Sequence, residues 1–353
     1  MDRNIFGVER APQKNKRMAS KAAILTALVV TGVVASGLLW LNMLRTTQQQ
    51  IDGLHPPLPT YRQIMAGSRQ AGLPVAIHFL ATASQKIARH RLLDRALDPN
   101  PGGNVDMTFP AFVLTWSDGQ RFIVDGGLSA NEAVTFGRQQ QWLGGFQGQP
   151  MVYHQSLANS LDPTSIKGVG LTHLHSDHTT GLADLCAAGA QYTTYQTLEQ
   201  YTQQNYLTFG GDDALAAMTC SVRLVLAEQE SPLRDIQGFP GLYVVPVAGH
   251  TPGSQVFVAH VQGLAGVQTY VLAGDIANHR DGVQFNIGKP AWYNRWLVPE
   301  NLAQLDRLRR WLKSLNDSHL IQVLLSHDLK ALQDSDVPAL ESCAVCGLTQ
   351  SGG

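Results

Sequence analysis

Residues 172 to 178 read Thr-His-Leu-His-Ser-Asp-His. Four side chains in this run, His173, His175, Asp177 and His178, are good metal ligands. Imidazole nitrogens with one carboxylate suit zinc or another first-row metal, whereas calcium and magnesium prefer oxygen shells. Histidine is scarce in the chain, 12 in 353 residues, so a chance cluster of three in six positions is rare. The preceding segment, Ile166 to Thr172, reads as a strand running into a turn. His173 and His175 are two apart, so in extended backbone they point the same way. Asp177 and His178 follow where the chain should turn into a helix, expected over Thr179 to Ala187. Adjacent residues diverge there and do not easily chelate one ion together. The spacing therefore favours two ions side by side, one on His173 and His175, the other on Asp177 and His178.

Such a pair needs more donors, and three later positions qualify. His250 sits in Gly-His-Thr-Pro-Gly-Ser, just after the apolar run Leu242 to Val247. Asp275 ends Tyr-Val-Leu-Ala-Gly-Asp, and His327 ends Leu-Ile-Gln-Val-Leu-Leu-Ser-His. Each closes an apolar, β-branched stretch of strand length. Strand ends are where layered folds collect site residues.

With these residues in hand, the chain resembles the metallo-β-lactamase superfamily of metallohydrolases. The resemblance rests on His173-Leu-His175-Ser-Asp177-His178, His250, Asp275 and His327, and on Asp125 in Arg-Phe-Ile-Val-Asp-Gly-Gly. It spans roughly residues 75 to 330 in the family's order. It implies two Zn2+ ions, or other first-row divalent metals. One would sit on His173, His175 and His250, the other on Asp177, His178 and His327, with Asp275 bridging both. Asp125 and Thr172 would stand behind the ligands and hold the imidazoles in place. A metal-bridging hydroxide, oriented by the catalytic Asp177, would attack an ester, lactone or phosphoester of a small molecule. The alternative is a non-hydrolytic member, either a metal-dependent sulfur oxygenase or a ligand-binding protein. A bridging Asp275 resembles the glyoxalase II, lactonase and phosphotriesterase-like branches. Quorum-signal lactonases often carry a Tyr three residues later, where this chain has Asn278.

The elements that must position these residues are legible in outline. Strands are expected at Val75 to Ala81, Phe109 to Trp116, Arg121 to Val124, Gln191 to Tyr195 and Val222 to Leu226. Three more follow in quick succession at Leu242 to Val247, Gln255 to Val261 and Thr269 to Ala273. Ser129-Ala-Asn-Glu132 forms a capping box opening a helix to about Trp142. Pro299-Glu-Asn-Leu opens a helix with Leu302, Leu305, Leu308, Leu312 and Leu315 at helical spacing. Periodicity alone gives a mixed α/β domain. The four-layer αββα sandwich is what the resemblance adds. The loop from Asp275 to Pro299 holds Asn278, His279, Phe285, Trp292, Tyr293 and Trp296. It would overhang the metals, its aromatics either meeting substrate or pinning the loop to the body; His279 is expected at the surface, with a proton donor as the other reading.

Ala22 to Leu44 carries no charge and is long enough to cross a hydrocarbon core as a helix. Arg3, Arg10, Lys14, Lys16, Arg17 and Lys21 precede it against Asp2 and Glu9. The positive-inside rule then puts the N-terminus in the cytoplasm and the enzyme on the periplasmic or extracellular side, with Trp40 as an interfacial anchor. A cleaved signal ending near Val33-Val-Ala35 is the other reading. Organisation is expected as a basic cytoplasmic segment 1–21, a transmembrane helix 22–44, a linker 45–70, a hydrolase domain 71–335 and a tail 336–353.

Cys186, Cys220, Cys343 and Cys346 suit an oxidising exterior, where three pairings are possible. Cys343 and Cys346 could close a short loop, and Cys186 is expected to be simply buried in the helix after the metal run. A net charge of −1 gives no reason to expect nucleic acid as a partner. The partners expected are a small-molecule substrate and the membrane. Nothing in the sequence sets the oligomeric state.

Overall fold

A computed structural model describes residues 14–143, 149–202 and 207–340. Twelve strands form among them: β1 Ala76–Ala88, β2 Asn104–Thr115, β3 Arg121–Val124, β4 Val152–Tyr153, β5 Ile166–Gly170, β6 Tyr192–Gln196, β7 Ser221–Val225, β8 Arg234–Asp235, β9 Leu242–Pro246, β10 Gln255–Gly263, β11 Gly266–Leu272 and β12 Ile321–Leu324. They make a seven-stranded sheet in the order β4-β1-β2-β3-β5-β6-β7 and a five-stranded sheet in the order β12-β11-β10-β9-β8. Both sheets are mixed. Antiparallel hairpins join β1 to β2 and β2 to β3, whereas β3, β5, β6 and β7 run parallel.

Strand alternation builds the layers. Phe112, Leu114, Phe122 and Val124 of the first sheet meet Val244, Phe257, Ala259 and Leu272 of the second in one core. The opposite parity faces outward. Ala111, Val113, Ile123 and Val169 pack on Leu157, Leu182 and Leu185 from helices. Val245, Val256, Val258 and Val271 pack on Leu305, Leu308, Leu312 and Leu315 of the Leu302–Asn316 helix. Helix, sheet, sheet, helix is the four-layer sandwich expected from the resemblance. Of the expected capping box one half forms: Ser129 Oγ accepts from the Glu132 amide, while the Ser129 amide donates to Thr180 Oγ1. Asn301 Oδ1 caps the Leu302–Asn316 helix by accepting from the Gln304 amide.

Several boundaries differ from the sequence reading. β1 runs on to Ala88, past the expected end at Ala81, with a register shift between Ala81 and Ala83. The helix expected over Thr179 to Ala187 is two, Ser176–Thr179 and Leu182–Ala187. Gly181 lies between them, and only glycine fits there, because a Cβ would lie 2.1 Å from the Gly126 carbonyl oxygen. Cys186 is not merely buried: it is disulfide-bonded to Cys220, with a Cα–Cα distance of 5.3 Å, tying that helix to the start of β7. Cys343 and Cys346 lie outside the described residues.

The N-terminal helix, Lys14–Asp52, does not stop at Leu44. Leu44, Thr47 and Ile51 are buried at helical spacing, so its last turns pack on the domain rather than starting a linker. The following residues track along the Leu302–Asn316 helix. Arg307 donates to the Pro56 carbonyl and Trp311 Nε1 to the Pro59 carbonyl, both at 3.0 Å. Tyr61–Ala66 is a helix capped by a Thr60–Gln63 box, and its Ile64 is fully buried. Residues 336 to 340, read as tail, also belong to the body: Val337 is buried and Leu340 donates to the Phe79 carbonyl at 2.7 Å. The basic residues Arg3 and Arg10 and the segment 341–353 lie outside the described residues.

Candidate metal centre

The seven anticipated ligands converge from four loops at the ends of β5, β9, β11 and β12, and every one is buried. They fall into overlapping groups whose donor atoms lie within 4.8 Å of one another: His173, His175 and His250; His173, His178 and Asp275; Asp177, His178 and His327. His173 and His175 share one group and Asp177 and His178 another, while the third, with His173, His178 and Asp275, straddles the two.

In the first group, His173 Nε2 is 2.9 Å from His175 Nδ1, and His250 Nε2 is 3.2 Å from each. Three imidazole nitrogens cannot all satisfy one another as donors and acceptors. Nitrogens at two corners of a tetrahedron with ~2.0 Å zinc bonds lie about 3.3 Å apart, close to this spacing. In the second group, His327 Nε2 is 3.5 Å and His178 Nε2 3.9 Å from Asp177 Oδ2. Asp275 stands between. Its Oδ1 is 3.4 Å from His178 Nε2 and 3.0 Å from His327 Nε2, and its Oδ2 is 3.7 Å from His250 Nε2.

The atoms facing away from the centre are held. His178 Nδ1 lies 2.9 Å from Asp125 Oδ2, and Asp125 also accepts from the Thr172 amide at 2.7 Å and its hydroxyl at 2.8 Å. Thr172 Oγ1 is 3.2 Å from His173 Nδ1. Asp125 adopts a φ of 61°, which a non-glycine residue keeps only when its surroundings fix it. His327 Nδ1 donates to the Thr108 carbonyl at 2.8 Å. These contacts put the proton on Nδ1 of His178 and His327 and leave Nε2 free to ligate. His175 is the exception, using Nδ1 inward.

Two residues at the centre were not anticipated. Glu300, fully buried, sits 2.6 Å from His250 Nδ1 and accepts from Lys289 Nζ at 2.7 Å. Their separation of 50 and 39 residues from His250 leaves no local signal. Pro299-Glu-Asn-Leu read only as a helix start.

Electrostatics sort the ligands. Burial, then the neighbouring imidazoles, holds His173 and His175 well below the ordinary histidine range. Burial and Lys289 lower His250 against the pull of Glu300. Burial acts downward on His178 and His327 too, but Asp125 and Asp177 raise the first and Asp275 the second. Asp275 is held well below the carboxylate range: burial would raise it, and His327 and His178 outweigh that. Buried carboxylates encircled by imidazoles whose inward nitrogens face one another call for cations. The donor set fits first-row metal ions.

A cavity of about 110 Å³ opens onto His175, Asp177, Asp275 and His327. Asn278, Trp292 and Tyr293 of the overhanging loop line it. Burial, together with Glu300, Asp275 and Asp177, pushes the Tyr293 phenol well above its usual range, so it keeps its proton. His279 is not at the surface as expected. It is buried beside Arg89, which is 3.3 Å from its Nε2, and caps the Arg280–Gln284 helix by accepting from the Asp281 amide.

Known proteins share this fold. An N-acyl homoserine lactone hydrolase, solved with N-hexanoyl-L-homoserine at its catalytic metal centre, matches with a TM-score of 0.51 at 13% identity, over 75% of this chain and 98% of that one. A variant of AiiA from B. thuringiensis, with N-decanoyl-L-homoserine at its active site, matches with a TM-score of 0.50 at 14% identity, over 75% and 98%. These likenesses are of fold. No match was found among curated proteins. The sequence model of the Metallo-beta-lactamase superfamily matches residues 109–283, and with the sandwich and its His/Asp cluster in place, the chain carries a metallo-beta-lactamase superfamily domain.

Proposed function

We propose that the protein is a membrane-anchored, two-metal hydrolase of a small ester, lactone or phosphoester. The observation that carries this is the donor set: seven buried His and Asp side chains in three overlapping groups, the one with His173, His178 and Asp275 linking the other two. A protein that only bound a ligand on this fold would have no use for all seven. His173, His175 and His250 would hold one ion, Asp177, His178 and His327 the other, and Asp275 would set their separation. Bound there, the pair would supply an activated water near neutral pH and polarise the substrate oxygen.

The chain's own residues do the rest. Asp177, lining the cavity, orients the attacking water by accepting its hydrogen bond. Asp125 and Glu300 lock the His178 and His250 tautomers. Tyr293, protonated and in the cavity wall, can donate to the substrate oxygen that gains charge. Asn278 stands three residues after Asp275, where quorum-signal lactonases often carry a tyrosine, and Tyr293 brings a phenol to the same cavity from a different element.

The Lys14–Asp52 helix is long and apolar enough to span a membrane, with none of its most apolar stretch buried. We read it as a retained anchor with the N-terminus in the cytoplasm and the domain outside. The Cys186–Cys220 disulfide supports an oxidising compartment. The test is metal analysis of the full chain purified in detergent, followed by an ester, lactone and phosphoester panel. Two metal equivalents with turnover of one class are expected. One iron per chain with no turnover would sink the reading.

A further inference from the structure

Residues Lys21 to Leu39 of the N-terminal helix are exposed along their whole length, and packing against the domain begins at Trp40. From Ala22 to Leu39 the helix rises about 27 Å, nearly the thickness of a hydrocarbon core. From Trp40 onward, Leu44, Thr47 and Ile51 are buried on one face. The domain is therefore seated directly at the end of the span, with no flexible linker between them. The bilayer boundary falls at Trp40, a residue type that favours that level.

Trp40 also fixes what lies beside it. Its Nε1 donates to the Trp296 carbonyl at 3.1 Å. Trp296 ends the Ala291–Trp296 helix, where Trp292 is 38% and Trp296 54% exposed. The Arg295 guanidinium lies 5.7 Å from the Trp296 ring centre. Two exposed tryptophans and an arginine, held level with the end of a membrane span, have the chemistry of a headgroup layer. Trp292 is at the same time part of the wall of the ligand-cluster cavity. Beyond it Ile87, Leu92, Met107, Phe136, Leu297 and Val298 line the cavity, with Arg91, Gln139 and Gln140 among them. A largely apolar wall thus runs from Trp292 to Asp177 and Asp275.

We infer that the substrate is an amphiphile resident in the bilayer, a hydrolysable head on a hydrocarbon chain, and that it reaches the ligand cluster from the membrane surface past Trp292. This rests on the hydrolase and anchor readings above and adds the substrate class. A water-soluble substrate would need neither the direct seating of the domain nor exposed tryptophans at that level.

The test uses the full chain in phospholipid vesicles and has two arms. In the first, lipids brominated near the headgroup quench tryptophan fluorescence, and Trp292→Phe and Trp296→Phe are compared with the parent. Each substitution is expected to remove about a third of the quenchable signal, Trp40 supplying the remainder. Quenching unchanged by both substitutions would place this helix away from the bilayer and overturn the inference, whatever the activity. In the second arm, the palmitoyl ester of 4-methylumbelliferone is supplied either in the same vesicles as the protein or in separate protein-free vesicles. The butyryl ester serves as the soluble analogue. At least tenfold faster turnover of the palmitoyl ester in shared vesicles is expected, with Trp292→Ala lowering that ratio. Equal rates in the two arrangements, or turnover of the butyryl ester alone, would overturn the substrate class and leave the hydrolase reading standing. No turnover of either ester would instead remove the esterase basis of both readings, and quenching would still decide where the helix lies.

Discussion

Glu300 offers the sharpest test of how the centre is built. Its carboxylate is fully buried between His250 Nδ1 at 2.6 Å and Lys289 Nζ at 2.7 Å. Burial would raise its pKa, yet Lys289 and His250 hold it below the ordinary range, so it is charged. Glu300→Gln keeps the shape and an acceptor oxygen but leaves the Lys289 ammonium without a counterion. Removing one partner of a buried pair costs about 3–5 kcal/mol. At about 2–4 °C per kcal/mol for a domain of this size, Tm should fall by roughly 6–20 °C. Lys289→Met combined with Glu300→Gln removes both charges and should recover most of that stability. It should not recover metal affinity, because His250 has lost its carboxylate, a change worth about 10–100-fold. Thermal melts of chelator-treated protein measure the first quantity, and competition with a zinc chelator measures the second. A single variant within 1 °C of the parent, or a double variant with parental affinity, would refute this account of Glu300.

Other outcomes follow from the same structure. His175→Ala and Asp275→Ala should each lower turnover by at least about 100-fold with the fold retained, and Asp125→Asn should act more mildly, weakening metal binding about 10–100-fold through His178; parental turnover with full metal content in either ligand variant would show the assignment wrong. Cys186–Cys220 closes a loop with a sequence separation of 34, so Cys186→Ser with Cys220→Ser should destabilise by up to about 4 kcal/mol, read as a lower melting point that reductant no longer shifts. His260 is fully buried and burial pushes its pKa down to about 4. The unfolded chain therefore takes up its proton first, and stability present above pH ~6.5 falls by about 3 kcal/mol as pH drops to ~4. His260→Gln should flatten that part of the pH–stability curve, and an unchanged slope would count against it. A phosphatase active only outside the cytoplasm, fused to the C-terminus, should be active in cells, and a silent fusion would invert the topology.

Much of this protein is legible along the chain. Strong local patterns carry the information: three histidines and an aspartate within six positions, and His250, Asp275 and His327 each closing an apolar run. The αββα order followed from the resemblance, because alternation identifies a strand but not which sheet it joins. The long uncharged run near the N-terminus was equally plain, since a membrane-length apolar helix needs only composition to be seen.

Tertiary structure alone decided the rest, for one recurring reason: these features depend on residues distant in sequence meeting in space. Glu300 and Lys289 gain their role only because the turn before the Leu302–Asn316 helix brings them against His250. Cys186 looked like one more buried small side chain until β7 brought Cys220 within bonding distance. Residues 45 to 70 read as a linker because their polar and proline-rich composition hides a stripe, running from Leu44 through Thr47 and Ile51, that is apolar only in part and buried only against the domain. That docking, invisible to any local pattern, is what fixes the domain against the end of the apolar helix.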